Sequence, residues 1–190
     1  MNQALRSELI ARAERDQETL QSLKDAGELA DDAYHPILKQ LHAENTEWAK
    51  ELCQTAGWPT ISQVGDDGSD AMWLIVQHSV LDPDFMFSCV STLERLVAMK
   101  EARGWHLAFL QDRALMLQGK PQVYGTQHVL NDQGELQPYD LTNPEEVDQK
   151  RESVGLEPLE ARTRFLRADH ERVKRARARH RALTIGPTTG

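Results

Sequence analysis

The chain has few of the residues that define several large classes of protein. Only two of its 190 residues are cysteine, Cys53 and Cys89, which argues against a disulfide framework or a thiolate metal site and predicts two buried free thiols. No apolar run approaches the roughly 18 residues that a membrane-spanning helix needs, and no apolar segment follows Met1. The sequence therefore predicts a cytoplasmic protein that makes no membrane contact.

Several familiar catalytic signatures are also missing. There is no Gly-x-Ser-x-Gly elbow, no glycine-rich phosphate loop, and no His-x-x-x-His or His-Glu-x-x-His spacing. A metal site at His78 would have to recruit Asp82 and Asp84, yet Asp82 is better placed to cap a helix that starts at Pro83. We therefore expect no metal and no cofactor.

What the chain does have is the composition of a soluble globular protein with an uneven charge. Hydrophobic residues make up 39% and charged residues 27%, enough for 190 residues to bury a core. The net charge is −8, but residues 162–181 carry nine basic residues against Asp169 and Glu171. An acidic body repels nucleic acid, so we expect the basic tail to be solvated or to contact an acidic protein surface, including its own. The nine are Arg162, Arg164, Arg167, Arg172, Lys174, Arg175, Arg177, Arg179 and Arg181.

Helical spacing of apolar residues dominates the chain and predicts a mainly α fold. Residues 122–130 and 135–139 instead read as a β-hairpin closed by the loop 131–134. We predict one compact multi-helix domain over 1–160, with this small antiparallel hairpin near 122–140, and a basic helical tail over 161–190 with a frayed end. The predicted helices lie near 2–25, from Asp31 or Asp32 to 56, from Ser69 or Asp70 to Ser79, 83–103, 105–118, 143–154 and from 157 onward, with a loop over 60–68.

Polar residues at core positions mark a candidate site in the middle third of the chain. Gln77 and His78 close an apolar run, and Asp112 and Arg113 interrupt another apolar helix; Asn45 lies on the inward face of its own helix. Burying such groups without partners costs several kcal/mol. They must therefore satisfy one another or surround a ligand.

One hypothesis is a metal-free pocket for a small molecule, in which the protein is an enzyme using acid/base chemistry of unknown reaction type. His78 is then the general acid or base, and Asp112 orients it or a substrate amine. Paired with Arg113 or another cation, Asp112 is structural, whereas a lone Asp112 has a raised pKa and serves in catalysis. The predicted ligand-binding residues are Gln77, Arg113, which suits an anionic group, Tyr124, Thr126, Gln127 and Asn45.

The alternative hypothesis is a non-enzymatic protein-interaction module. The same polar residues then form a closed structural network, and the chain binds a protein partner or a second copy of itself through its surface and basic tail. Truncating His78 or Gln127 separates the two hypotheses. A pocket loses its ligand and keeps its fold, whereas a network loses stability because buried partners are stranded.

The chain also resembles a family of bacterial proteins with a domain of unknown function. Short motifs carry the resemblance, in order and with similar spacing over roughly residues 40–160, and the tail after Ala161 lies outside them. The resemblance implies no established chemistry, so it supports the choice of residues and leaves their roles open. The motifs are Asn45-Thr46, Gly57-Trp58-Pro59, Val64-Gly65, Val76-Gln77-His78, Asp112-Arg113, Tyr124-Gly125-Thr126-Gln127 and Val154-Gly155-Leu156-Glu157-Pro158-Leu159.

Overall fold

A computed structural model of the protein describes residues 1–29 and 34–184. Within these residues the fold is mainly α with one two-stranded antiparallel sheet, as the sequence predicts. None of the described helices is long and apolar enough to cross a membrane. The elements are α1 (Gln3–Ala26), α2 (Pro36–Thr55), α3 (Ile61–Gln77), α4 (Pro83–Ser88), α5 (Val90–Ala98), α6 (Gly104–Leu117), β1 (His128–Leu130), β2 (Leu136–Pro138), a 3₁₀ turn (Pro144–Glu146), α7 (Val147–Ser153) and α8 (Leu159–Thr184).

The core lies where α1, α2 and α6 pack around α3. Met72 and Ile75 of α3 are almost completely buried, and they belong to one apolar cluster with Leu9 of α1 and Leu110 of α6. Each of these side chains stabilises the fold by about 1.5–3 kcal/mol through burial. Because α3 is packed on several sides, the residues at its C-terminal end are held rigidly against α1 and α2.

The prediction of a loop over residues 60–68 is wrong, because α3 begins at Ile61. Thr60 and Gln63 form a capping box, in which the Thr60 N–H donates to Gln63 Oε1 at 3.0 Å. The helix is interrupted only at Gly65, whose φ of 76° and ψ of 174° are not helical. Gly65 and the sequence Asp66-Asp67-Gly68 are typical of a turn, but packing of this segment against α1 keeps it in a kinked helix.

Two further helix predictions need correction. The single helix predicted over 83–103 is two helices that meet at Cys89, although Asp82 caps the first of them as predicted, accepting from the Phe85 N–H at 2.9 Å. Helix α2 begins at Pro36, after the N-cap His35, rather than near residue 32. The predicted caps Asp31 and Asp32 lie outside the described residues, as does the predicted frayed end at 185–190.

The hairpin is shorter than predicted. His128–Leu130 pairs with Leu136–Pro138, with Val129 opposite Gln137. Residues 122–127, predicted as the first part of the strand, form a loop instead. Three of their backbone N–H groups, those of Val123, Tyr124 and Thr126, donate to the buried Asp112 of α6, and only Gln122 forms an isolated bridge, with Leu141. Whether residues 161–190 form a unit separate from 1–160 stays a prediction.

Candidate functional site

Three ionisable side chains from three helices meet at one buried point. Asp16 comes from the middle of α1, His42 from α2, and His78 from the C-terminal end of α3. Asp16 is only 1% exposed, His42 is buried, and His78 is half-buried. We refer to Asp16, His42 and His78 as the Asp16 cluster.

The carboxylate of Asp16 lies between the two imidazoles. His78 Nδ1 is 3.0 Å from both Asp16 oxygens, and His42 Nε2 is 2.8 Å from Oδ2. The two rings lie with their centroids 4.8 Å apart. On the other side of His42, Nδ1 contacts the hydroxyl of Tyr34. The result is a chain of polar contacts from Tyr34 through His42 and Asp16 to His78.

The electrostatics keep Asp16 charged. Burial raises the pKa of Asp16, but the close contacts with His42 and His78 and their charges lower it by more, so that the pKa lies well below its usual range. Burial and the negative charge of Asp16 raise the pKa of Tyr34 to about 12. The cluster thus combines a buried carboxylate anion with two imidazoles and a neutral phenol.

Sequence reasoning missed Asp16, His42 and Tyr34, although two of them carried a signal. Asp16 lies seven residues after Leu9, on the apolar stripe of α1, and His42 lies four residues after Leu38 on the inward face of α2. The same argument that selected Asn45 therefore applies to both. Tyr34 precedes its helix, and no periodic pattern identifies it.

The second buried carboxylate, Asp112 of α6, is bound differently. It accepts backbone N–H groups from residues 122–127, which we call the Asp112 loop: Val123 at 2.8 Å, Tyr124 at 3.0 Å and Thr126 at 2.9 Å. Burial raises the pKa of Asp112, and these hydrogen bonds oppose that rise. The carboxylate that contacts His78 is that of Asp16. The carboxylate of Asp112 binds backbone N–H groups of the loop and not a cation.

Arg151 of α7 supports the Asp112 loop from its other side. This guanidinium is 2% exposed and donates to three backbone carbonyls: Tyr124 at 2.7 Å, Gly125 at 3.3 Å and Glu157 at 2.6 Å. Gly125 has a φ of 68° and lies against Leu159, so a side chain at this position would be both strained and crowded. The loop is therefore fixed at its N–H groups by Asp112 and at its carbonyls by Arg151.

Arg113 links α3 to the Asp112 loop. Its Nη1 donates to the Gln77 carbonyl at 3.2 Å and its Nε to Gln127 Oε1 at 3.3 Å. Gln127 in turn donates to Thr126 Oγ1 at 2.9 Å. Within residues 1–29 and 34–184 Arg113 forms no ion pair, and burial lowers its pKa while the nearby Tyr34 raises it. The structure thus brings four predicted ligand-binding residues together, Gln77, Arg113, Thr126 and Gln127.

The remaining predicted residues lie around this centre. Asn45, one turn after His42 on α2, accepts from Arg12 of α1 at 3.1 Å, and its Nδ2 is buried without a hydrogen bond in the described part of the chain. Tyr124 is half-buried and is held through its backbone. The catalytic and ligand-binding roles of all these residues stay predictions.

The arrangement offers two kinds of chemistry. An imidazole held by a buried carboxylate can accept and donate protons. Two imidazoles and a carboxylate can equally hold a metal ion, and the three donor atoms of the Asp16 cluster all lie within 4.8 Å of one another. Sequence reasoning considered a metal only with Asp82 and Asp84, of which Asp82 is engaged as a helix cap.

Comparison with known proteins identifies the family but no relative of known activity. No curated protein and no solved structure matches the chain. A family model described as a family of unknown function, DUF6624, matches residues 3–174, which extends beyond the motifs of residues 40–160 at both ends and includes much of the segment after Ala161. The chain therefore belongs to the DUF6624 family of unknown function.

Proposed function

We propose that the chain binds a small anionic molecule and acts on it by acid/base chemistry centred on the Asp16 cluster. One observation carries the proposal: two imidazoles share a buried carboxylate, and a guanidinium with no ion pair among the described residues is hydrogen-bonded to the residue that precedes His78. Burying this much charge costs free energy, and ligand chemistry is a common reason for a fold to retain it.

His78 is the residue that a ligand can reach. Its side chain is 20% exposed, against 9% for His42 and 1% for Asp16. Asp16 contacts Nδ1 of His78, so Nε2 is the nitrogen left to a ligand. In this proposal Asp16 takes the orienting role that the sequence suggested for Asp112.

Arg113 is the group that binds the anion. Hydrogen bonds to the Gln77 carbonyl and to Gln127 hold the guanidinium beside the peptide that leads into His78. A guanidinium is a planar fork that suits carboxylate and phosphate oxygens. Because no carboxylate of the described residues neutralises Arg113, an anionic ligand would supply the missing charge.

The proposal is tested by measuring whether small anions stabilise the full chain. Sulfate, orthophosphate, acetate and citrate are each added to the protein while its melting temperature is recorded. We expect at least one of them to raise the melting temperature of the wild type but not of Arg113→Lys, because lysine keeps the charge and loses the fork. Arg103→Lys is the matched control, since Arg103 forms surface ion pairs with Asp66 and Asp70.

Native mass spectrometry of gently purified protein, before and after denaturation, complements this experiment. An extra mass that is lost on denaturation and is absent from His78→Gln and Arg113→Lys supports the pocket. The proposal fails if no anion acts, no extra mass is found, and both variants lose several kcal/mol of unfolding free energy. That result would support the structural network and the protein-interaction module.

A further inference from the structure

We propose that the Asp16 cluster binds one divalent transition-metal ion, with Asp16, His42 Nε2 and His78 Nδ1 as its ligands. The inference rests on the proposed function, because it names the cofactor of the same site. It reverses the expectation, drawn from sequence spacing, of a metal-free pocket. The ligands come from three helices, so the His-x-x-x-His type of spacing that sequence motifs rely on does not occur.

Both nitrogen-to-carboxylate separations are already those of a coordination shell, and the three donor atoms all lie within 4.8 Å of one another. His42 Nε2 lies 2.8 Å and His78 Nδ1 lies 3.0 Å from Asp16 Oδ2. With metal–ligand bonds of about 2.0–2.2 Å, two ligands at right angles lie roughly 3 Å apart and two at a tetrahedral angle slightly further. Small side-chain adjustments would therefore admit an ion.

The donor set selects the class of metal. Imidazole nitrogens suit zinc, iron, cobalt and nickel, whereas calcium and magnesium prefer oxygen ligands throughout. Three protein ligands leave at least one position open for water or a ligand, which is typical of catalytic sites rather than structural ones. His78 is half-buried, so the cluster reaches solvent at this residue, and Arg113 is hydrogen-bonded to the carbonyl of the adjacent Gln77.

A second observation points to a missing ligand at the same place. His42 Nε2 is buried and makes no well-aligned hydrogen bond in the described part of the chain, although Asp16 Oδ2 is only 2.8 Å away. The nitrogen is close to the carboxylate but directed off the line that a hydrogen bond needs. A metal ion between the two groups would use the nitrogen lone pair and the carboxylate together.

The surroundings of His42 fit the same assignment. Its other ring nitrogen, Nδ1, contacts the Tyr34 hydroxyl. Metal-bound histidines usually hydrogen-bond through the nitrogen that does not touch the metal, and this contact fixes the ring and its tautomer. Tyr34 is therefore a positioning residue in this proposal rather than a ligand.

The test is metal binding to the full chain after chelator treatment. The protein is stripped with EDTA, dialysed, and titrated with Zn(II) by calorimetry and with Co(II), whose visible absorption reports its coordination. We expect one ion per chain, a Co(II) spectrum of low coordination number, and at least about a 100-fold loss of affinity in His42→Gln and in His78→Gln. Tyr34→Phe should lose about 10-fold, because it removes only the contact to the second nitrogen.

His106→Gln is the matched control, because His106 is also buried beside a carboxylate but lies outside the cluster. Circular dichroism confirms that each variant is folded. The inference is overturned if Zn(II) does not bind at one per chain, or if His42→Gln and His78→Gln bind it as the wild type does.

The two proposals can fail separately. If no metal binds but small anions still stabilise the wild type and not Arg113→Lys, the metal inference is wrong and the anion pocket stands. If the metal binds through the cluster and no anion acts, the metal site stands and the proposed function is wrong.

Discussion

Asp16 and Asp112 are equally buried but have very different neighbours. Both carboxylates are within 1% of complete burial. Asp112 is enclosed by backbone N–H groups of the loop that follows its own helix. Asp16 is enclosed by the side chains of His42 and His78, which come from two other helices.

The difference predicts a structural role for Asp112 and a reactive one for Asp16. Backbone N–H groups cannot change their charge. They donate hydrogen bonds to the Asp112 carboxylate in the same way as the N–H groups of a helix N-terminus donate to a capping side chain. Imidazoles can exchange protons or bind a metal, so the neighbours of Asp16 offer chemistry that backbone N–H groups do not. Because the two carboxylates are equally buried, the prediction of a functional role for Asp16 depends on the chemistry of its neighbours.

The comparison predicts its largest effect at Asp112. Asp112→Ala leaves three backbone N–H groups without their acceptor, each worth about 1–3 kcal/mol, so the free energy of unfolding should fall by at least about 3 kcal/mol. Urea denaturation followed by circular dichroism measures this loss. Asp132→Ala, at an exposed position in the hairpin turn, should change stability by less than about 0.5 kcal/mol. A small effect of Asp112→Ala on the free energy of unfolding would contradict the structural role of Asp112.

A buried imidazole outside the Asp16 cluster predicts a smaller, pH-dependent effect. His106 is fully buried, stacks on Trp73, and lies 3.0 Å from the half-exposed Asp70. Burial, and then the charge of Arg103, lower the pKa of His106 to about 3. Since the unfolded chain has a histidine pKa of about 6.5, it binds a proton that the folded chain refuses, and stability is lost as pH falls below that value.

The expected loss from this residue is up to about 2 kcal/mol between roughly pH 7 and pH 5. Urea denaturation at the two pH values measures it in the wild type and in His106→Gln, which should lose less stability on acidification. His170→Gln, at a half-buried position of α8, should behave as the wild type. Equal acid sensitivity in wild type and His106→Gln would contradict the assignment.

The smallest predicted effect on stability is at Asp16 itself. In the presence of EDTA, Asp16→Asn should cost about 1 kcal/mol, because the amide oxygen still accepts a hydrogen bond from an imidazole. Asp112→Asn should cost more, since its amide N–H₂ would face the N–H donors of the loop. Parallel urea titrations compare the two variants. If Asp16→Asn lowers the free energy of unfolding more than Asp112→Asn does, the Asp16 cluster is a structural network and Asp16 does not differ from Asp112 in its role.

The sequence predicted the fold class and part of the site, for physical reasons that can be named. Helical spacing identified α1 and α6 nearly to the residue, and the polar interruptions Gln77-His78 and Asp112-Arg113 are indeed brought close together through Arg113. It did not reveal that Asp16 pairs with His78, because that contact depends on how α1 packs against α3, and one sequence carries no information on such pairing.

The prediction of a strand over residues 122–127, after α6, is wrong for a different reason. Residues 122–127 alternate as a strand would, but whether a backbone bonds to a strand or to a carboxylate depends on what lies beside it. Asp112 is the competing acceptor, whereas the sequence predicts a cation, His78 or a substrate as its partner and not the backbone of the following loop.

The two carboxylates also differ in how far along the chain their contacts reach. Asp112 bonds to residues 11–14 positions away, so those contacts close short loops, whereas the contact of Asp16 with His78 spans 62 positions. Closing a longer loop costs more chain entropy and slows the formation of the contact. The contacts of Asp112 therefore need a shorter stretch of ordered chain than the contact of Asp16 with His78. The Asp16 cluster requires α1 to dock on α3, so metal binding at the proposed site would report that docking.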